Sequence, residues 1–483
     1  MGGGFMVSFY PATHRCLTRG TDVARAVRGW RGPFALGALT LAPVVLWLVS
    51  DPSAWRGGVA RWLTAAGVGF GLAAISAFAL NVVLGARLPA IQRFFGGLEK
   101  LYAAHRMNGR IVYALVLVHV CLILAGRSAV SIGDAVRLFT PAAGAAVLVG
   151  VAAFLVITGG IFLTLYARLT HEMFVYVQRA LGATFFLAGL HVFLTAGATG
   201  RSRELAIYLA VLGGAALGSF VYRSLLDDLL VRRYDYVVTH ARRLDPSVVE
   251  IAMAPVDRAL KARPGQFVFV TFYSDRFNAQ FHPVSVRATG ASAVVELRPG
   301  QARDQFHPFS LTSTPADTEL RLVVKAVGTF TRALHLLEPG AAARVEGPYG
   351  EFSYRNVDNP RQVWLAGGIG ITPFLSMARA LDERTGYEIL LYHGVKTTSE
   401  AFFADELEQI AARVPGFSVK IVPEDEAGFI TVEKIAADMG LEDTDFLIVG
   451  PPAMESALRA RLVSSGVPER RIHSERFAFG PAR

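Results

Sequence analysis

The sequence predicts a multidomain membrane protein: a six-helix transmembrane bundle, then a soluble module made of an antiparallel β-barrel and an α/β parallel sheet. Three observations carry that prediction. At 483 residues and 52% hydrophobic content, with a mean hydropathy of +0.39, the chain is too long for one domain and too apolar for a soluble one. The apolar excess ends near residue 230. Beyond Arg232-Arg233 the pattern turns to short alternating strands, and from Arg361 to strand and helix in alternation. The expected domains are therefore 1–230, 231–355 and 356–483.

Six apolar segments, near 34–50, 59–84, 103–126, 141–167, 173–198 and 203–226, supply the spans, against roughly 20 residues for a helix that crosses. Arg15, Arg19, Arg25, Arg28 and Arg31 precede the first, which leads into further spans and reads as a retained helix, not a cleaved signal. Lys and Arg beside the spans number 5, 5, 2 and 3 at the N-terminus, at 85–110, at 168–179 and at 223–233, against 2 in each intervening connection. Both termini, and with them the soluble module, are expected in the cytoplasm of a multi-pass cell-membrane protein. The net charge of +9 is thereby a topology signal, and nucleic acid is not an expected partner.

The third span holds two histidines, His105 and His119. A 14-residue step places them about 21 Å apart and within about 40° of one helix face, a geometry that hangs two metal centres one above the other across a bilayer. Ionisable side chains are costly there, which favours a functional reading. The fifth span carries His191 in GLHVFLTAG. Both spans run outward in this topology, so His119 and His191 are expected at similar depth, as the two axial ligands of one outer haem. Cys16 and Cys121 are the only cysteines, so there is neither a disulfide framework nor a CxxCH site, and any haem is held non-covalently. Opposite His105 the sequence offers Val177-Gln178-Arg179. A 13-residue step from His191 turns about 140° off the face, so a ligand there needs a bulge, which Gly182 or Gly189 would permit. His171 lies nearer the cytoplasm and reads as interfacial. Arg106, Arg110 and Arg179 are either partners for haem propionates or plain positive-inside residues.

In the soluble half, YDYVVTHARRL, SVVEIAMAP and PGQFVFVTFY read as barrel strands. Two similar tetrapeptides follow, His282-Pro283-Val284-Ser285 and His307-Pro308-Phe309-Ser310, with an inserted hairpin between them. LRLVVKAVGTFTRAL runs a strand into a turn and a short helix whose start, with Lys325, Thr329 and Thr331, suits phosphate. GPYG at 347–350 is a tight turn. QVWLAGGIGITPFLSMARAL places a buried strand, a turn with Gly367, Gly368 and Gly370, then Thr372-Pro373 and a helix. Such a turn lets backbone approach a pyrophosphate. EILLYHG, DFLIVGPP and MESALRARL extend one parallel sheet, and HSERFAFG closes the chain with Phe477 and Phe479, either able to stack on a flat ring or to pack as a plain C-terminus.

These motifs resemble the ferric reductase and NADPH oxidase family, transmembrane relatives of ferredoxin reductase, over nearly the whole chain. HPFSLTST resembles the family's flavin motif, which implies that His307, Pro308, Phe309, Ser310 and Thr312 hold the FAD isoalloxazine and ribityl region. Lys325, Gly328, Thr329 and Thr331 would face its pyrophosphate. AGGIGITP resembles the dinucleotide motif (Gly367, Gly368, Gly370, Thr372, Pro373), and Gly450-Pro451-Pro452 the element beside the nicotinamide, with Val449 where a cysteine is often found. Lys396 would meet a 2′-phosphate, favouring NADPH over NADH. Ser310 and Phe477 are the expected catalytic residues. The resemblance also implies two stacked b-type haems, for which His105, His119 and His191 match three of four ligands and Gln178 departs.

The expected activity is an electron wire: cytoplasmic NAD(P)H to FAD, then through haem to an outer acceptor, which is oxygen giving superoxide, a ferric chelate or a quinone. Two other readings fit the same residues. One is a membrane-anchored flavin reductase serving a cytoplasmic partner. The other is a haem-binding redox sensor with a vestigial reductase domain.

Overall fold

The computed structural model describes residues 14–167, 171–199, 202–226, 231–273, 306–383 and 386–475. It divides into two compact units, Met1–Val231 and Arg232–Arg483.

The first unit is helical: α1 (His14–Ser50), α2 (Val59–Gly85), α3 (Pro89–Phe95), α4 (Leu98–Ser128), α5 (Ile132–Arg137), α6 (Ala145–Tyr166), α7 (His171–Thr199) and α8 (Arg203–Phe220). All but the short α3 and α5 contain stretches long and apolar enough to cross a membrane, which is the expected set of six. Helix α2 is the axis of the bundle. Its apolar window is 67% buried, against 11–17% in the others, and it packs on α4, α1, α8 and α7. Small residues make this possible. Ala73, Ala74, Ala77 and Ala79 are all buried along it, and without long side chains the neighbouring backbones approach closely, the usual basis of helix association in lipid. Helix α6 packs on α7. Between α3 and α4 the chain turns at Gly96 and Gly97, at φ +79° and +116°, a corner only glycine takes without strain.

The second unit opens with β1 (Arg233–Asp245), β2 (Val248–Pro255), β3 (Phe267–Tyr273), β4 (His307–Ser310), β5 (Leu320–Lys325), helix α9 (Thr329–Ala333) and β6 (Ala342–Tyr349). The strands form one antiparallel sheet in the order β4-β3-β6-β1-β2-β5. Leu311, just past β4, bridges Leu322 of β5, and Thr312 N–H donates to the Arg321 carbonyl at 2.9 Å. The two sheet edges thus meet, and the barrel closes around a core of Ile251, Met253, Val268, Val270, Leu322 and Val345.

The remainder is β7 (Arg361–Gly367), α10 (Ile371–Arg379), β8 (Glu388–Val395), α11 (Ala404–Arg413), β9 (Phe417–Pro423), α12 (Glu424–Ala427), α13 (Val432–Asp438), β10 (Asp445–Val449), α14 (Pro452–Ser464) and β11 (Ile472–Ser474). All five strands are parallel, in the order β11-β10-β7-β8-β9. One apolar cluster around Trp364 and Phe374 and another around Leu365 and Phe446 cover the two faces, so the strands read as nearly unbroken apolar runs. The order reverses between β7 and β10, and the crevice at the carboxyl ends of those two strands is where a doubly wound sheet takes its ligand.

Candidate functional site: histidines in the bundle, a flavin cradle and a dinucleotide turn

Helix α4 carries His105 and His119, and α7 carries His191. Each ring is tethered through Nδ1 to a backbone carbonyl: His105 lies 3.1 Å from the Asn81 oxygen, His119 2.7 Å from Gly67 and His191 2.7 Å from Ala146. A carbonyl only accepts, so Nδ1 holds the proton and Nε2 keeps its lone pair for a metal. The His119 and His191 rings stand 6.5 Å apart, centre to centre. Two imidazoles joined through Nε2 to one iron place their ring centres about 6 Å apart, given metal–nitrogen bonds near 2 Å. At that spacing the two residues fit a haem, whose iron they would hold through Nε2. Among the described residues no three His, Cys, Asp or Glu side chains cluster as a metal site, and an axial pair needs only two.

Glycines make room for the rings. A Cβ on Gly71 of α2 would lie 2.8 Å from His119 Nδ1, and one on Gly150 of α6 would lie 2.6 Å from His191 Nδ1. Beside His105, the buried Asn108 donates through Nδ2 to the Ala77 carbonyl at 2.8 Å and to Asn81 Oδ1 at 3.3 Å, a polar latch between α4 and α2. Helix α7 runs unbroken from His171 to Thr199, without the bulge that a ligand at Gln178 would need. Gln178 Nε2 contacts Thr164 Oγ1 of α6 at 3.5 Å. Arg106 and Arg110 are exposed and Arg179 is half-buried.

In the barrel, His307 stacks on Phe330, ring centres 3.7 Å apart, and Phe309 lies parallel to Phe330 at 6.3 Å. Pro308 pairs with Phe269 across β3. The hydroxyls of Ser310 and Thr312 are buried and have no hydrogen-bond partner among the described residues. Buried hydroxyls are costly to leave unpaired, so both are free to bond a polar group brought to this end of the barrel. Lys325 Nζ lies 3.9 Å from Glu400. Thr331 Oγ1 accepts from the amides of Val327 and Gly328 at 2.9 Å each, so it caps its own turn. The Thr329 side chain, Phe477, Phe479 and the first tetrapeptide at 282–285 lie outside the described residues.

At the switch point Gly367 and Gly370 serve packing: a Cβ would meet Met454 Sδ at 2.5 Å from the first and the Val449 carbonyl at 2.3 Å from the second. Gly450, which begins Gly450-Pro451, touches the same turn, its Cα 3.3 Å from the Gly367 Cβ position. Thr372 Oγ1 donates to the Ile369 carbonyl at 3.1 Å, and Pro373 is buried on α10. Lys396 is exposed. Its carbonyl accepts from Asp425 N–H at 3.3 Å, and Thr398 Oγ1 donates to Glu426 at 2.9 Å, so acidic α12 flanks this loop.

Three features were missed in the sequence. Arg379 grips both oxygens of Glu406 at 2.6 and 2.8 Å and donates to the Thr312 carbonyl at 2.7 Å, tying α10 to the flavin motif. Glu475 is a carboxylate buried beside Gly350. Its place in HSERFAFG, beside the aromatic residues, was the available signal. His393 is fully buried, and burial pushes its imidazole down to about 4.

An antiparallel barrel with unpaired hydroxyls, joined to a doubly wound sheet with a glycine turn at its switch point, defines an FAD- and NAD(P)-dependent oxidoreductase, here following a bundle of membrane helices. Family models agree part by part: residues 70–190 match the ferric reductase like transmembrane component, 288–353 an FAD-binding domain and 364–460 an oxidoreductase NAD-binding domain. The chain has the domain architecture of the ferric reductase and NADPH oxidase family. It is similar to the ferredoxin–NAD(P)(+) reductase component of naphthalene 1,2-dioxygenase/salicylate 5-hydroxylase systems from Ralstonia sp, 29% identical over 38% of this chain and 61% of that one. A flavohemoprotein of Rhizobium meliloti is 26% identical over 37% of this chain and 48% of its own. The chain thus spans about half to three-fifths of these relatives. Among solved structures, a flavohemoglobin from Malassezia yamatoensis aligns with 91% of this chain and 100% of that one at 17% identity and a TM-score of 0.46.

If His191 ligates haem, Gly150→Ala should strip most of it from the purified protein by driving a methyl into the His191 ring, whereas Gly159→Ala, where nothing lies within 4 Å, should keep it. Haem absorbance per protein decides, and equal content in both would refute the packing argument. His393 makes a pH prediction. Its folded pKa is depressed from 6.5 to about 4, so the unfolded chain takes up the proton first and stability falls as pH drops through that window. Between pH 6.5 and about 5 the wild type should lose roughly 1.5 kcal/mol more than His393→Gln. Parallel pH dependence of thermal unfolding in the two proteins would contradict this.

Proposed function

We propose that this protein is a transmembrane NAD(P)H oxidoreductase. It takes electrons from NAD(P)H on the cytoplasmic side and delivers them through FAD and b-type haem to an acceptor outside, oxygen giving superoxide or ferric iron. The observation that carries this reading is the His119–His191 pair, 6.5 Å apart with each Nδ1 tethered. An anchor alone has no need of two facing imidazoles in lipid, where each polar group must be satisfied.

When bound, FAD turns a two-electron hydride into single electrons and haem carries them one at a time. The chain's own residues orient the partners. The turn at Gly367–Gly370 receives the dinucleotide at the switch point, Ser310 and Thr312 offer hydroxyls to the flavin, and Arg379 holds the helix after the turn against the Thr312 carbonyl. Phe477, at the chain end, is assigned to stack on the flavin ring. His119 and His191 would hold the iron of the outer haem. His105, tethered in the same manner, is the sole protein ligand assigned to an inner haem, since the Gln178 amide is turned to Thr164.

Anaerobic NADH or NADPH added to the purified protein should reduce a b-type haem band after the flavin bleaches, at two haems per FAD in wild type and one in His105→Ala. Flavin that bleaches while the haem stays oxidised would favour the anchored reductase. One haem per FAD in both proteins would remove the inner site.

A further inference from the structure

His393 sits near the carboxyl end of β8, in register with Ala366 of β7 and Ile421 of β9, and is 1% exposed. Its Nε2 lies 3.0 Å from the Gly368 carbonyl oxygen, so that nitrogen carries the proton and donates. Its Nδ1 is buried with no hydrogen-bond partner among the described residues, as a neutral imidazole with one donor and one acceptor allows. Nothing in the electron path above uses this side chain.

The bond has a directional consequence. The only cis peptide among the described residues is Gly347-Pro348, so the 368–369 peptide is trans, with its carbonyl and its N–H on opposite edges. A Gly368 carbonyl held toward His393 turns the Ile369 N–H the other way. At Gly368 itself there is room for a ligand to approach the backbone: its φ is +52°, and a Cβ there would meet no heavy atom within 4 Å, unlike those on Gly367 and Gly370. An outward amide at a switch-point turn is what a pyrophosphate oxygen takes.

We propose that His393 is a positioning residue for the dinucleotide: its Nε2–H joins the Ile371 N–H as a second donor on the Gly368 carbonyl, and so fixes the peptide that aims the Ile369 amide at the pyrophosphate of NADH or NADPH. The proposal rests on the dinucleotide reading of this turn, and it assigns the imidazole a role in affinity, separate from hydride transfer.

The test uses the full chain in detergent with bound FAD, mixed anaerobically with NADH and, separately, NADPH, while flavin bleaching is followed. His393→Phe should raise the half-saturating concentration about tenfold, the worth of one charge-assisted hydrogen bond, with FAD content intact and the limiting rate changed less than about twofold. His393→Gln, whose Nε2 reaches the same carbonyl, should recover most of that affinity. A Phe variant that saturates like wild type, or a Gln variant as impaired as Phe, overturns the proposal. Where the Phe variant does not assemble, Gln decides: half-saturation within about threefold of wild type supports the proposal, and a rise of about tenfold or more with FAD retained overturns it. Wild-type flavin that neither dinucleotide bleaches would remove the underlying reading and the proposal with it, a failure distinct from an active wild type with an indifferent variant.

Discussion

An imidazole has two nitrogens, and in lipid neither can turn to water. The membrane unit depends on how that constraint is met: at each of His105, His119 and His191 one nitrogen is committed to a helix carbonyl, of Asn81, Gly67 and Ala146. The tether fixes the tautomer and leaves Nε2 as the only remaining coordination point. It also dictates the neighbours. A carbonyl can be reached only where another backbone comes close, so the small residues of α2 and Gly150 of α6 belong to the site as much as the histidines do.

The second unit solves a different problem with the same economy. Two turns, Gly367–Gly370 and Val449–Pro451, must touch so that β7 and β10 can lie side by side while a crevice opens at their ends. Gly367 and Gly370 permit the contact, and Gly368 keeps the opening. Arg379 then links the helix behind that crevice to Thr312, so the dinucleotide turn and the flavin motif are held by one guanidinium. A bidentate grip on Glu406 makes this guanidinium rigid.

Much of this was legible in the sequence, because the signals were periodic or local. Six apolar runs of membrane length, alternation in Phe267–Tyr273 and a glycine turn after Trp364-Leu365-Ala366 each declare themselves within a few residues. The meeting of His119 with His191 followed from topology and helix rise. What stayed hidden depends on contacts between distant positions. Gly71 and Gly150 look like any glycines in an apolar helix until a ring is seen against them. Asn81 and Asn108 form a latch only when α2 meets α4, and His393 is an ordinary strand histidine until Gly368 folds back on it. Strand β9 was missed because it lies at the sheet edge, where polar Ser418 and Lys420 are exposed and break the apolar run. The bulge that a ligand at Gln178 would need is not there, and Gln178 turns to Thr164 instead.

The central claim is that His119 and His191 grip one iron, and low-temperature electron paramagnetic resonance of the oxidised, purified protein tests it most directly. The account predicts a low-spin signal of two axial imidazoles that vanishes in both His119→Ala and His191→Ala and survives in His105→Ala. A low-spin signal that persists in either of the first two variants would contradict it.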